Sequence, residues 1–302
     1  MPITVPTAYI ETYQNNVIHL AQQKMTRLRG YVMEVNKQSE AHNWDLLAAS
    51  VARAKTSARM ASPAGGDGSG AVGSTDGLAW TRRKSLIATI DTGEVVERNN
   101  ISQMLIDPKS SSVVNLVANM NRKIDDIIIS AANDPSRDEA GAGIALPASQ
   151  QIGSASTIIS IDSLLEIQEI FYNADVDPDE RKCLVIGPKQ QRVLMSLLEV
   201  QSSDFQSSKA LATGYLPNFM GFDIIVSTRL GQTTTPPTAG EIYCLAFTDK
   251  AIGLHVARNI SPIAAERPDM SFSWQCYMDM DLGAIRVEDA HFVQLHLKDA
   301  LS

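Results

Sequence analysis

Apolar residues recur at helical spacing over one long segment of the chain. Asp107 followed by Pro108 favours a helix start, since Pro suits the first helical position, and Pro135 cannot continue a helix. The pattern predicts a helix over 108–132, on the order of 35 Å long at ~1.5 Å per residue. Its apolar stripe consists of Val113, Leu116, Val117, Met120, Ile124, Ile127, Ile128 and Ala131.

The N-terminal region shows a second, shorter helical pattern. An extended arm is expected over 1–6, followed by a helix whose apolar stripe runs from Ile10 to Leu28 and which Gly30 ends. The sequence then favours a strand at 31–35.

The segment from residue 44 to residue 96 changes character twice. An Ala-rich helical stretch is predicted over 44–60. Residues 62–77 hold six glycines and almost no large side chain, so they cannot bury enough area to order themselves and are predicted to be a flexible loop tip. The return leg over 80–96 is rich in strand formers and contains the basic cluster Arg82, Arg83 and Lys84.

Helices and strands alternate in the C-terminal half, which indicates a mixed α/β lobe followed by strands. The predicted elements are a helix over 161–171, a strand over 183–186, a helix opened by Pro188, and strands over 222–227 and 242–247. Beyond them, residues 272–280 alternate between apolar and polar, a turn is expected at 281–283, and residues 285–297 supply further strands.

Composition narrows the possible functions. A net charge of −8 and a pI near 5.2 argue against gripping nucleic acid through a broad basic surface, although the protein could still enclose it. The sequence holds no run of ~20 apolar residues that would cross a bilayer, so synthesis and assembly in a cytoplasm are expected, with no membrane. Cys183, Cys244 and Cys276 lie far apart in apolar runs and are predicted to be buried free thiols.

Motifs that suggest chemistry fail on context. Gly68, Gly70 and Gly73 have dinucleotide-binding spacing, but the strand that should precede them and the helix that should follow are both missing from the pattern. The acids of 175–179 begin like a calcium loop, yet its glycine and closing glutamate positions are filled by other residues. No hydrolase, zinc or phosphate-loop motif occurs, so we expect no enzyme, no cofactor and no metal.

Four charged residues occupy the polar face of the long helix: Arg122, Lys123, Asp125 and Asp126. They fit either a solvated face with weak ion pairs or a surface that pairs with another subunit. Helical spacing alone leaves both interpretations open.

Three stretches together resemble phage major capsid proteins of the Hong Kong 97 fold. The first runs from Arg82 through Asp107 into the helix segment 121–128; the second is GYLPNFMGFDIIVS over 214–227; the third extends from FTDKAIG at 247–253 to GAIRV at 283–287. They cover most of the chain in the order that the family has.

The resemblance implies an α+β fold of the Hong Kong 97 type with four parts. These are an N-terminal arm and first helix over 1–30, an extended-loop hairpin over 31–97, a peripheral domain over 98–160 and 255–302 with spine helix 108–132, and an axial domain over 161–254. It also implies a structural subunit that self-assembles into pentamers and hexamers of an icosahedral head, enclosing double-stranded DNA without reading its sequence.

The partners implied are further copies of the chain, a separate scaffolding protein, a portal protein and a decoration or cement protein, with assembly in the bacterial host and residence in the virion. Subunit-interface residues are expected among Gly68, Gly70, Gly73, Arg82, Arg83, Lys84, Arg122 and Asp126. Two alternatives remain at this point: an encapsulin-type nanocompartment shell, and an α/β enzyme, which would need convergent polar groups in a pocket.

Overall fold

The computed structural model describes residues 22–47, 80–97, 108–197, 216–231, 237 and 240–299. The chain divides into two compact units. One comprises Met1–Met25, Ile90–Arg122 and Ile260–Met280; the other comprises Thr26–Thr89, Lys123–Asn259 and Asp281–Ser302.

The predicted long helix is confirmed as α1, Pro108–Asn133. Its predicted stripe is buried at Leu116, Met120, Ile124 and Ile128. Toward the C-terminal end the buried arc is wider than the stripe and also takes in Ile129, Ala132, Asp125 and Asp126. This half of the helix is therefore enclosed on its expected polar side too.

The N-terminal helix was predicted to continue to Gly30, and this is wrong for its last part. Residues 22–28 are irregular, and only a short 3-10 turn, Arg29–Tyr31, follows. The side chains of α1 hydrogen-bond with the backbone here, so these backbone groups are satisfied without a helix. The rest of that prediction, and the arm over 1–6, lie outside the described residues.

An antiparallel ribbon forms the described part of the predicted loop hairpin. It consists of β2, Ala41–Leu47, and β3, Trp80–Leu86. The helical stretch predicted from residue 44 is therefore wrong over 44–47. Trp44 decides this: its ring covers Gly253 so closely that an added Cβ would lie 2.5 Å away. The predicted tip over 62–77, with Gly68, Gly70 and Gly73, lies outside the described residues.

A second sheet contains the two longest strands described. In the first unit, the outer parts of β12, Ile252–Arg267, and β13, Ser273–Arg286, lie beside β4, Ala88–Val96, in the order β12-β13-β4. In the second unit, β1, Met33–Asn36, pairs in parallel with the start of β12.

The turn predicted at 281–283 is wrong, because β13 runs straight through it. Gly283 serves a close approach instead of a turn: an added Cβ would lie 2.0 Å from the Leu86 carbonyl oxygen. Because Gly283 has no side chain, the Leu86 end of the β2–β3 ribbon can pack directly against β13.

A mixed sheet of six strands confirms the α/β lobe, in the order β7-β14-β11-β8-β10-β9. Its strands are β7 (Gln151–Gly153), β8 (Lys182–Ile186), β9 (Asn218–Phe219), β10 (Phe222–Val226), β11 (Glu241–Thr248) and β14 (Phe292–Lys298). Strands β8 and β10 are parallel, while β11 is antiparallel to both β8 and β14. Every residue of β8 is buried, as expected for a central strand.

Two helices belong to the same unit as this sheet: α2, Ile161–Asn173, and α3, Pro188–Ser196. Ser160 caps α2 by accepting the Ser163 N–H, and Pro188 occupies the start of α3 as predicted. A small hairpin of β5, Ser136–Arg137, and β6, Gly143–Ile144, follows α1. The architecture is α+β, as predicted.

Candidate functional site

The three basic residues of β3 have different environments. Arg82 is on the exposed side of the ribbon, where it contacts Asp45 at 2.5 Å and Glu139 at 3.0 Å. Arg83 points inward and is buried. Lys84 is half-buried and lines a groove described below. Alternation along a strand explains why neighbours in sequence face opposite sides.

Arg83 belongs to a largely buried network centred on Asp289. Its guanidinium donates to both carboxylate oxygens of Asp289, at 3.0 and 2.7 Å, and to Ser136 Oγ at 2.9 Å. Arg286, whose side chain is fully buried, donates from Nε to the same carboxylate at 2.6 Å. Two buried arginines therefore share one partly buried carboxylate.

The Nη atoms of Arg286 stabilise the C-terminal end of α1. Its Nη1 donates to the carbonyl oxygens of Ala132, at 3.0 Å, and Asp134, at 3.1 Å, and its Nη2 donates to that of Ile144 at 3.2 Å. The last carbonyls of a helix have no partner within the helix, and a cation suits the negative end of its dipole. The network joins ribbon, helix end, hairpin and strand β13.

The pKa values in this network have opposing causes. Burial alone would raise the pKa of Asp289, but hydrogen bonds from Arg83 and then Arg286 outweigh it and hold the pKa below its usual range. Burial lowers the pKa of Arg286, and its bond to Asp289 opposes that shift. The carboxylate is the ionised partner that both guanidiniums need.

The acids on the polar face of α1 are buried rather than solvated. Asp126 forms a two-pronged ion pair with Arg229 of its own chain. Asp125, 1% exposed, accepts the backbone N–H groups of Arg27 and Leu28. The solvated face that the sequence left open does not describe these two residues, because buried carboxylates require partners and find them within the chain.

Arg122, earlier along the same face of α1, binds the segment that begins at residue 22. Its Nη1 donates to Gln22 Oε1 at 2.6 Å and to the Gln23 carbonyl oxygen at 3.3 Å. Asn121 donates to the Lys24 carbonyl oxygen at 2.8 Å. These contacts hold residues 22–24 against α1, chiefly through their backbone oxygens.

The expected interface residues therefore differ in what they still offer to a neighbour. Arg83 and Asp126 are buried with partners in their own chain, and Arg122 is engaged with residues 22–23. Arg82 and Lys84 are more open, and an intersubunit contact stays a prediction for all five residues. Gly68, Gly70 and Gly73 lie outside the described residues.

Sequence reasoning missed the centre of the network, Asp289 and Arg286. One signal was present: Arg286 interrupts a run of apolar residues in a buried strand, and an arginine in such a place is rarely buried without a partner. The position of that partner, and of Arg229 opposite Asp126, required the three-dimensional structure.

A groove of about 760 Å³ lies in the second unit, next to this network. The ribbon end over 84–88 and the C-terminal turns of α1 line it together with the hairpin and residues 282–285 of β13. Lys84 and Arg137 contribute its basic side chains, and Asp134, bound to Ser130, contributes an acid. Leu86, 44% exposed, supplies an open apolar contact.

Metal-binding side-chain clusters are not found in the described ranges. No group of three or more His, Cys, Asp or Glu there could hold a metal ion. The cysteines are free and buried as predicted, and burial raises the pKa of Cys244 to about 12, which keeps it an inert thiol. None of the helices described combines the length and apolar character needed to cross a bilayer.

The fold is that of phage capsid shell proteins of the Hong Kong 97 type. The chain is similar to the capsid of cyanophage Pam1, with a TM-score of 0.73 at 12% identity, covering 99% of this chain and 98% of that one. It is similar to the capsid of cyanophage P-SCSP1u, with a TM-score of 0.72 at 12% identity over 97% and 94% of the two chains. For the mature capsid of bacteriophage PhiM1 the TM-score is 0.69 at 12% identity over 97% and 93%.

The sequence agrees with the fold. Residues 5–299 match the phage capsid protein family, and the chain belongs to that family. No curated protein matches the sequence.

Proposed function

We propose that this chain is the major capsid protein of a tailed phage, which self-assembles into pentamers and hexamers of an icosahedral head around double-stranded DNA. The observation that carries the proposal is the agreement of two independent comparisons over nearly the whole chain: the family match over 5–299 and the capsid fold at TM-scores up to 0.73. The chain acts as a structural subunit and not as an enzyme.

The electrostatics suit a container better than a DNA-binding protein. The net charge is −8, and the strongest arginine contacts described are made to carboxylates of the same chain. A shell with this balance encloses DNA without base-specific contacts, because tight DNA binding relies on neutralising many phosphates with basic residues.

The parts of the chain receive roles under this proposal. Residues 1–30 form the arm and its first segment, 31–97 the extended loop, 98–160 and 255–302 the peripheral domain with its spine helix, and 161–254 the axial domain. The β2–β3 ribbon and α1 support the second and third assignments. The partners are other copies, a scaffolding protein, a portal and a decoration protein, and assembly takes place in the bacterial cytoplasm before release in the virion.

Electron microscopy of the expressed chain tests the proposal directly. The protein is produced in bacteria alone and together with the proposed scaffolding protein, then separated by size. Closed shells, or rings of five and six subunits, are the expected result. A chain that stays monomeric at high concentration in both preparations, while its melting curve shows a folded protein, would overturn the proposal.

Protease sensitivity supplies a second test that concerns the loop. Residues 62–77, with Gly68, Gly70 and Gly73, have few apolar anchors of their own, so contact with a neighbouring copy should protect them. Free subunits should be cut within this segment faster than shells. Equal cutting in both states would contradict the role given to the loop tip.

A further inference from the structure

The outer face of α2 carries an unusual row of side chains. Asp162, Leu165, Glu169 and Tyr172 are spaced by three, four and three residues, so they follow one another along one side of the helix. All four are exposed, and the two apolar members, Leu165 and Tyr172, keep 48% and 51% of their surface open. Acidic and apolar side chains therefore alternate along this row.

Nothing in the described part of the chain neutralises the row. Neither Asp162 nor Glu169 has an ion pair among the described residues. Tyr172 is held from one side by Lys182, whose Nζ lies 5.3 Å from the ring centre. The ring is thus oriented in advance while half of its surface stays open, which lowers the entropy cost of docking.

The groove beside the ribbon is basic and apolar, which complements the acidic and apolar row on α2. Lys84 and Arg137 line it, and within the described residues neither one forms an ion pair. Leu86 and Ile127 give it an apolar lining. A volume of about 760 Å³ is ample for one leucine and one tyrosine side chain.

We infer that the groove of one copy receives helix α2 of a second copy. Leu165 and Tyr172 enter the groove against Leu86 and Ile127, and Asp162 and Glu169 face Lys84 and Arg137. This rests on the proposed function, since it names the contact by which neighbouring subunits meet. It also gives Lys84 specific partners, the two acids of the row on the neighbouring copy.

The contact has a geometric consequence. The helix and the groove are different surfaces of the same compact unit, so a copy can bind one neighbour through its groove and another through its helix, head to tail. Repeating a head-to-tail contact generates a ring whenever the rotation closes. A second copy suits the groove better than nucleic acid does, because Asp134 lines it and only two basic residues face it.

Charge reversal tests the pairing. The groove variant is Lys84→Glu with Arg137→Glu, the helix variant is Asp162→Lys with Glu169→Lys, and the swapped chain carries all four changes. Each reversal alone should lower the yield of shells or rings at least about tenfold, because like charges then face each other across the contact. The swapped chain should recover most of the yield. Asp179→Lys, at an exposed acid outside α2, is the matched control and should assemble normally.

The readouts separate the possible failures. Normal assembly by either reversed chain would overturn the inference, as would a swapped chain that assembles no better than the reversed ones. If only the groove variant fails, the groove receives another partner and the inference is wrong. Melting curves check folding, and Leu165→Ala with Tyr172→Ala gives an uncharged second test that should also reduce assembly. Parent protein that forms no shells or rings would instead refute the proposed function.

Discussion

The base of the ribbon and the outer face of α2 use charge in opposite ways. At the base, Arg83 and Arg286 are buried, and both bond to Asp289, whose side chain is only 16% exposed. On α2, Asp162 and Glu169 are exposed and have no ion pair among the described residues. Buried charges must be satisfied within the chain and so fix its own fold, while exposed unpaired charges remain available to a neighbour. Substitutions at the first site should therefore affect the subunit, and those at the second should affect the assembly.

Asp289→Ala should have the largest effect on the subunit. It leaves Arg83 and Arg286 buried without their shared carboxylate, and removing one partner of a buried ion pair costs about 3–5 kcal/mol. Denaturant unfolding of the unassembled chain measures this loss. Glu288→Ala, at the preceding residue, is the control. The Glu288 side chain is 44% exposed, so its removal should change the free energy of unfolding little. Unchanged stability of Asp289→Ala would mean that the network does not hold the base together.

Ile124→Ala supplies an apolar benchmark for the same subunit. Ile124 is 2% exposed in the middle of α1, and emptying such a site costs about 2–5 kcal/mol through lost burial and the cavity left behind. Lys123→Ala, its exposed neighbour, should change the free energy of unfolding by less than about 0.5 kcal/mol. Melting temperature and soluble yield compare the two. The reverse ranking would show that α1 packs through its other face.

Acid should weaken the base of the ribbon through Asp289. Because its pKa is lowered by folding, its ionised form stabilises the fold above about pH 4, where this carboxyl ionises in the unfolded chain. That stabilisation is lost as the pH falls through the lower folded-state pKa. Asp289→Asn should be less stable at neutral pH and should show a flatter decline below about pH 4. Parallel curves for variant and parent would assign the acid sensitivity to other groups.

Arg82→Ala should have the smallest effect. Its pairs with Asp45 and Glu139 are exposed, so water and salt screen them, and the melting temperature of the subunit should not change. Arg83→Ala, one residue later, should lower it clearly because Asp289 loses two of its hydrogen bonds. Equal effects of the two variants would remove the distinction between the faces of β3.

Local patterns predicted elements whose burial follows a simple period. Helix α1 and the start of α3 at Pro188 agree with the spacing of apolar residues and with the position of proline. Patterns failed where a distant contact overrides local preference. Residues 44–47 form a strand because Trp44 packs onto Gly253, and β13 does not turn at Gly283 because that glycine accommodates Leu86.

By itself, the sequence determined the α+β character, the long helix, the basic residues of β3 and the resemblance to capsid proteins, since each depends on residues close together in the chain. Tertiary structure alone decided which charges are buried. Asp125 meets a backbone 97 residues away at Leu28, and Arg83 meets a carboxylate 206 residues away at Asp289. Such pairings depend on how distant elements pack, and neither periodicity nor composition encodes which distant residue becomes the partner.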